Sequence, residues 1–232
     1  SANLTNSGDI LSSGKLTITA TSLITNSGNL QSANDFSLTA GSLDNSGAIK
    51  SFGKSTINAD SIINQANALI FSDGDSIISA SNSLTNSGSI LSSSKLNITS
   101  KATTNNYEIF SVGDLSLTLS GVLTNSGSLS SLANLSINST SSITNSNEIL
   151  SGGNLNITAT SLNNSKTIQS NGNLVLNLTS LTNSKNIISG GSFNITASGN
   201  ISNSATLQST TDFTINAASF TNSASSSLLL AG

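Results

Sequence analysis

The sequence predicts an all-β fold, a right-handed single-stranded parallel β-helix (a solenoid) of about twelve turns with 19–20 residues each. Three observations lead to this prediction. The chain repeats itself at a short interval, and its apolar residues alternate with polar ones. Its composition also differs from that of an ordinary globular domain, with 7% charged and 3% aromatic residues but 35% hydrophobic residues, mostly Leu and Ile.

The repeat is defined by the motif Leu-Thr-Asn-Ser-Gly-x-Ile, which occupies residues 4–10 and returns in close form at residues 24–30, 84–90 and 123–129. One asparagine aligns in every copy, and successive asparagines are 19–22 residues apart. A period that persists through twelve copies predicts a stack of equivalent turns. The aligned column, here called the asparagine ladder, consists of Asn6, Asn26, Asn45, Asn64, Asn86, Asn105, Asn125, Asn145, Asn164, Asn183, Asn203 and Asn222.

Three short strands are predicted in each repeat. Residues 16–20 and 155–159 alternate apolar and polar side chains, which is the period of a β-strand, and shorter strands surround Leu4 and Ile10 and their equivalents. Because such strands cannot pair within one repeat, each should pair in parallel with its equivalent in the next turn. Equivalent residues would stack about 4.8 Å apart, so twelve turns form a rod of roughly 55–60 Å. Right-handed winding follows from the general preference of parallel connections.

The asparagine ladder is interpreted as a structural feature and not as a ligand site. A stacked Asn amide can bond the Asn above and below it, and Asn tolerates the backbone of a tight corner. A second column of small hydroxyl side chains should pack a neighbouring corner and satisfy its backbone. This serine column consists of Ser12, Ser32, Ser51, Ser72, Ser92, Ser111, Ser131, Ser151, Ser170, Ser189 and Ser209.

The composition argues against several classes of function. The chain contains no Cys, His, Met, Trp or Pro, and its net charge is −3. Without Cys there are no disulfides or thiolate metal ligands, and the small, dispersed charge predicts no nucleic-acid partner. Asp73 and Asp75 share one loop, but two carboxylates are too few to predict a calcium site. We therefore expect no cofactor and no metal.

The sequence also predicts that the chain is not an enzyme. It lacks His, Cys and Arg, and with them the commonest general base, the thiol nucleophile and the bidentate clamp for phosphate or carboxylate. Its ten acidic residues are scattered along the repeats, so no pair of carboxylates is placed for glycoside cleavage.

The repeats resemble a known family. The motif at Leu4–Ile10, followed by Gly-Lys-Leu-Thr-Ile-Thr-Ala at Gly14–Ala20, resembles the filamentous haemagglutinin repeat over essentially the whole chain. That repeat forms the shafts of two-partner secretion exoproteins, which include large adhesins and contact-dependent growth inhibition proteins. The resemblance implies export through a dedicated outer-membrane β-barrel transporter and a location outside a Gram-negative cell, secreted or on its surface. Its partners would be receptors on host or neighbouring cells.

Two consequences concern the extent and corners of the shaft. Since the chain opens in the middle of a repeat, residues 1–232 are expected to be one repeat domain excerpted from a longer chain. The glycine of the motif is replaced in several later copies, and the corner geometry is expected to vary there. These replacements are Tyr107, Asn147, Lys166 and Lys185.

Three alternatives to a passive shaft remain open at the level of sequence. The rod could itself adhere to cells through many weak contacts. It could bind ice through outward columns of small polar residues, and it could self-associate into filaments through the unpaired strands at its ends. The columns that an ice-binding face would use are Thr17/Thr19, Ser37/Thr39, Asn97/Thr99, Asn156/Thr158 and Thr214/Asn216.

Overall fold

The computed structural model describes residues 2–223 and the backbone of Leu228–Leu230. Within these residues the secondary structure consists entirely of β-strands joined by turns and bends. No helix that could cross a membrane occurs in the part of the chain that the structure describes.

The strands, in chain order, are β1 (Leu4–Asn6), β2 (Asp9–Ser12), β3 (Leu16–Thr19), β4 (Leu23–Asn26), β5 (Asn29–Ser32), β6 (Phe36–Thr39), β7 (Ser42–Asn45), β8 (Ala48–Ser51), β9 (Ser55–Asn64), β10 (Leu69–Ser72), β11 (Ser76–Asn86), β12 (Ser89–Ser92), β13 (Leu96–Asn105), β14 (Glu108–Ser111), β15 (Leu115–Leu119), β16 (Leu123–Asn125), β17 (Ser128–Ser131), β18 (Leu135–Ser139), β19 (Ser142–Asn145), β20 (Ile149–Ser151), β21 (Leu155–Asn164), β22 (Ile168–Ser170), β23 (Leu174–Asn183), β24 (Ile187–Ser189), β25 (Phe193–Asn203), β26 (Thr206–Ser209), β27 (Phe213–Asn222) and β28 (Leu228–Leu230).

The strands form two parallel sheets, one of 16 strands and one of 12. Each strand pairs with its equivalents one turn earlier and one turn later, so that Asn6 pairs with Asn26 and Ile10 with Leu30. The predicted all-β solenoid with parallel pairing between turns is therefore confirmed. Twelve asparagines enclose about 11 turns, one fewer than the sequence predicted. The right-handed winding stays a prediction.

The strands of a turn are more continuous than the sequence predicted. Three short strands per turn occur at the start, as in β1, β2 and β3, but β9, β11, β13, β21, β23, β25 and β27 each join two predicted strands into 10 or 11 residues. Where the strands stay separate, residues such as Gly41 and Gly121 lie at the bend. The joined strands accommodate the bend in other turns by shifts of register, for example between Ala80 and Ser83.

The core is a narrow column of Leu and Ile side chains between the sheets. Alternate residues point inward: Leu155 and Ile157 are fully buried, whereas their neighbours Asn156 and Thr158 are exposed. Each buried Leu or Ile contributes roughly 1.5–3 kcal/mol of transfer free energy. Aromatic rings are few in this core, and two of them stack from one turn to the next: the centroids of Phe193 and Phe213 are 5.0 Å apart.

Candidate functional site

The asparagine ladder is a continuous chain of side-chain hydrogen bonds. The Nδ2 atom of each asparagine donates to Oδ1 of the next asparagine, from Asn6 through to Asn222, at distances of 2.8–2.9 Å. The side chains from Asn26 to Asn203 are almost completely buried. Thus the structure brings all twelve predicted ladder residues together along one line.

Most ladder amides also satisfy the backbone of their corner. From Asn6 to Asn183 the Nδ2 atom is placed to donate to a carbonyl oxygen in the next turn as well; for Asn105 this is the carbonyl of Ser128, at 2.8 Å. The ladder carbonyls in turn accept backbone N–H groups, as when Ser126 N donates to Asn105 O at 2.7 Å. Since an unpaired buried polar group is destabilising, these bonds explain how amides can occupy the interior of the rod.

The hydroxyl groups of the serine column form hydrogen bonds with backbone carbonyl oxygens and not with one another. Ser32 Oγ lies 2.8 Å from both the carbonyl of Asp35 in its own turn and that of Gly14 in the preceding turn. Ser51 Oγ lies 3.0 Å from the equivalent carbonyls. From Ser32 onward the column is buried. Its hydroxyls therefore link successive turns at the corner that follows the strands of the 12-stranded sheet.

Corner geometry changes where the motif glycine is lost. Gly47 N donates to Asn26 O of the preceding turn at 3.0 Å, and a Cβ on Gly47 would overlap the carbonyl oxygen of Gly28. At Lys166 and Lys185 the backbone N–H instead donates to Oδ1 of the ladder asparagine two residues earlier, at 3.4 Å. A side chain is accommodated at these two corners because the backbone N–H bonds the ladder asparagine of its own turn and not the preceding turn.

A second column of stacked residues lies on the outside of the rod, and sequence reasoning did not identify it. These residues directly precede the strands equivalent to β3, and from Asp35 onward the carbonyl of each accepts a backbone N–H from the turn before, as in Leu96 N to Asp114 O at 3.0 Å. We call it the outer column. Its members are Lys15, Asp35, Lys54, Asp75, Lys95, Asp114, Asn134, Asn154, Asn173, Ser192 and Asp212.

The outer column alternates in charge over its first six members and is mostly neutral afterwards. Oδ1 of Asp35 accepts the backbone N–H of Lys54 at 2.9 Å, and Oδ1 of Asn154 accepts that of Asn173 at the same distance. The carboxylate and the amide therefore make the same bond to the next turn. The signal was present in the sequence as alternating Lys and Asp immediately before a Leu, Phe or Ser, and aligning that position would have found it.

Hydrogen bonds from the next turn lower the pKa of the Asp75 carboxyl. The hydroxyl of Ser94 donates to Asp75 Oδ1 at 2.6 Å, and the backbone N–H of Lys95 also points to it. These bonds, with a smaller contribution from the ammonium groups of Lys54 and Lys95, lower the pKa of the Asp75 carboxyl from its ordinary value of 3.8. One turn further, Lys95 Nζ lies 4.0 Å from Asp114 Oδ2, and both side chains are exposed.

Potential metal-binding side chains are not clustered in the part of the chain that the structure describes. Among residues 2–223, no cluster of three or more Asp, Glu, His or Cys could hold a metal ion. Asp73 and Asp75 both lie at the corner after β10, but Asp75 is engaged by Ser94. Two shallow grooves follow the bend of the 16-stranded sheet and are lined mainly by Ser, Thr, Asn and Ala. Such side chains can form hydrogen bonds, and Asp60 and Lys101 also line the second groove.

The outward columns considered for ice binding do stack in register but are irregular. Thr17 pairs with Ser37, and Asn97 pairs with Ser116 one turn later. In the third turn after Thr17 the same column carries Ile77, which is 45% exposed. The face is therefore a mixture of hydroxyl, amide and apolar groups.

The fold and these columns define a parallel β-solenoid whose turns are held by repeated polar ladders. The model of the haemagglutinin repeat family matches residues 1–51, 53–106, 110–177 and 169–231. The chain belongs to the haemagglutinin repeat family. Searches among curated proteins and among solved structures return no match. The resemblance inferred from the repeat motif is thereby confirmed, and the family points to a structural protein, secreted or at the cell surface, rather than to an enzyme.

Proposed function

We propose that the chain is a segment of the shaft of a filamentous exoprotein, an adhesin or a toxin-delivery protein, that holds a distal domain away from the cell. The observation that carries this proposal is the uniformity of the rod: the same Asn–Asn bond recurs at 2.8–2.9 Å in every one of its turns. Uniform turns provide length, whereas a binding or catalytic site requires a local departure from uniformity.

The export route and the partners belong to the same proposal. A chain without cysteine can pass unfolded through a narrow outer-membrane transporter without a disulfide to obstruct it. Once outside, stacking of each turn on the preceding one supplies its hydrogen-bond partners, so folding can proceed turn by turn. The distal domain would then contact receptors on host or neighbouring cells.

A register-preserving deletion tests the shaft. Removing residues 27–203 from the native protein joins Asn26 to Ser204, which follows Asn203 as Ser27 follows Asn26, and shortens the rod by about 43 Å. If the segment is a spacer, the shortened protein is still exported and displayed, and its distal domain still binds target cells. Display can be measured by surface immunolabelling and binding by cell adhesion.

The matched control is a deletion of residues 27–193, which joins turns out of register by half a repeat. We expect this variant to lose display, because the inward and outward faces no longer continue across the junction. If the register-preserving deletion abolishes adhesion while display is intact, the segment itself carries the receptor site and the spacer role is wrong. Thermal hysteresis of the isolated chain would instead favour ice binding.

A further inference from the structure

The outward face of the 12-stranded sheet carries apolar side chains in its central turns. In β10, β12, β14 and β20 the middle outward residue is Phe or Leu, lies between two buried neighbours and stacks on its equivalents in register. Two further apolar residues follow in the adjacent column: Val112 is 44% exposed and Leu132 is 63% exposed. We define the apolar patch as Phe71, Leu91, Phe110, Val112, Leu132 and Leu150.

The patch contains a notch next to a projection. Ser130 interrupts the column between Phe110 and Leu150, and the resulting depression is lined by these residues together with Leu132. The ring of Phe110 therefore projects from the face one turn away from the depression at Ser130. Such alternation is typical of surfaces that interdigitate, since a projection gains contacts only where the facing surface recedes.

We propose that two copies of the chain pair side by side through this face, antiparallel, about a twofold axis that passes between the turns of Phe110 and Ser130. The axis places Phe110 of each copy in the Ser130 notch of the other. It also places Leu91 opposite Leu150, and Val112 opposite Leu132. Five of the six patch residues thus have an apolar or small partner, as an isologous interface requires, and Phe71 faces Gln169.

The charges on this face are compatible with the same arrangement. Each of the four charged side chains in the paired turns meets an uncharged residue: Lys50 meets Ile188, Asp73 meets Asn171, and the two glutamates meet serines. Those pairs are Glu108 with Ser128 and Glu148 with Ser89. A parallel arrangement about an axis along the rod would instead set Lys50 against Lys50 of the second copy, which is unfavourable.

The contact area is sufficient for a specific dimer. Ten turns overlap, which gives a contact about 43 Å long, and three outward columns spaced two residues apart give a width of about 14 Å. Each copy therefore buries about 600 Å², or about 1,200 Å² in total, at the lower end of specific interfaces. We expect a dimer of moderate affinity in which two rods run in opposite directions, without using the ends of the rod.

Cross-linking tests the geometry directly, because the chain has no native cysteine. An equimolar mixture of the Leu91→Cys and Leu150→Cys variants should be joined by a bis-maleimide that spans the roughly 10 Å between packed sheets. The Leu91→Cys variant alone should not be cross-linked, because in the proposed dimer the two cysteines at position 91 would lie three turns apart along the rod. Efficient cross-linking of Leu91→Cys alone would show a parallel pair and overturn the proposal.

Sedimentation equilibrium of the chain tests the association itself. We expect a monomer–dimer equilibrium that stops at two copies, and Leu132→Asn should raise its dissociation constant by about tenfold or more, because two leucines leave the interface. The control is Ile77→Asn, which replaces a 45% exposed apolar residue on the other sheet and should leave dimerisation unchanged. A native chain that stays monomeric at about 100 μM, or one that grows past two copies, would overturn the pairing.

Discussion

The asparagine ladder and the outer column meet the same requirement, a bond between successive turns, under opposite conditions. The ladder is buried from Asn6 to Asn203 and uses asparagine in all twelve positions, whereas the outer column is largely exposed and uses Lys, Asp, Asn and Ser. In the interior only a neutral group that is both donor and acceptor can stack on itself every 4.8 Å or so. At the surface, water solvates charged side chains, so Lys and Asp can also occupy successive turns.

Within the outer column the first half differs from the second. Asp35, Asp75 and Asp114 recur in every second turn with lysines between them, while Asn134, Asn154 and Asn173 occupy successive turns. Carboxylates in successive turns would repel each other, but amides would not. Alternation with Lys allows the charged half to keep its bonds to the next turn without placing like charges side by side.

The largest loss of stability is expected when a carboxylate replaces an amide of the buried ladder; the same replacement in the outer column is its control. Asn125→Asp should destabilise the fold by about 3–5 kcal/mol, because the new carboxylate oxygen faces the Asn145 Oδ1 atom and the Glu148 carbonyl in a buried site. Asn154→Asp is the matched control and should have little effect, since the oxygen that accepts the Asn173 N–H is retained. Chemical denaturation at pH 7 measures both.

The pH dependence of Asn125→Asp supplies a further check. Burial and the two facing oxygens, Asn145 Oδ1 and the Glu148 carbonyl, raise the pKa of the new carboxyl above its unfolded value of about 3.9. Its destabilising effect should therefore be small below that pH and should grow as the pH rises above it. Equal stability loss by the two variants at pH 7 would show that burial does not distinguish the columns.

A smaller loss is expected when a ladder amide is removed without adding charge. Asn164→Leu leaves Asn145 Nδ2 and Asn183 Oδ1 without their partner and should reduce the free energy of unfolding by about 2–4 kcal/mol. Asn163→Leu changes the adjacent, exposed amide in β21 and should alter stability by no more than about 0.5 kcal/mol. An unchanged melting transition in Asn164→Leu would contradict the structural role of the ladder.

Breaking the charge alternation should have a moderate and salt-dependent effect. Asp75→Lys would stack three ammonium groups, with Lys54 and Lys95 on either side, and would remove the acceptor for the Ser94 hydroxyl. We expect a loss of about 1 kcal/mol at low ionic strength that diminishes in 1 M salt. Asp73→Lys at the same corner is the control. A loss that is independent of salt would mean that repulsion is not its cause.

The smallest effect is expected from Asp75→Asn. The amide keeps the oxygen that accepts from Ser94 but no longer titrates. Because the pKa of the native carboxyl is lowered on folding, its contribution is present above pH 3.8 and is lost as the pH falls through the folded value. The stability difference between the two proteins should therefore shrink in acid. A difference that is constant from pH 7 to pH 2 would show that the Asp75 charge is irrelevant.

Much of the fold could be predicted because repetition makes one turn informative about all others. The Asn6 motif located the ladder, and the alternation at residues 155–159 identified which side chains are buried. The joining of two strands in β9 or β21 could not be predicted, since it depends on how the bend at residues such as Ala59 is absorbed by pairing with both neighbouring turns. The Lys–Asp alternation is visible only when the residues that precede equivalent strands are aligned, because about 20 residues separate each Lys from the next Asp.

The amino-acid pattern alone specifies a stack of parallel turns, the identity of its inward residues and the line of asparagines, because each depends on periods of 2 and about 20 residues. Only the tertiary structure determines which amides bond each other and whether a polar column is buried or exposed to solvent. It also determines which outward residues lie side by side in the apolar patch. Those properties arise between residues a full turn apart, such as Phe110 and Ser130, which become neighbours only when the turns are stacked.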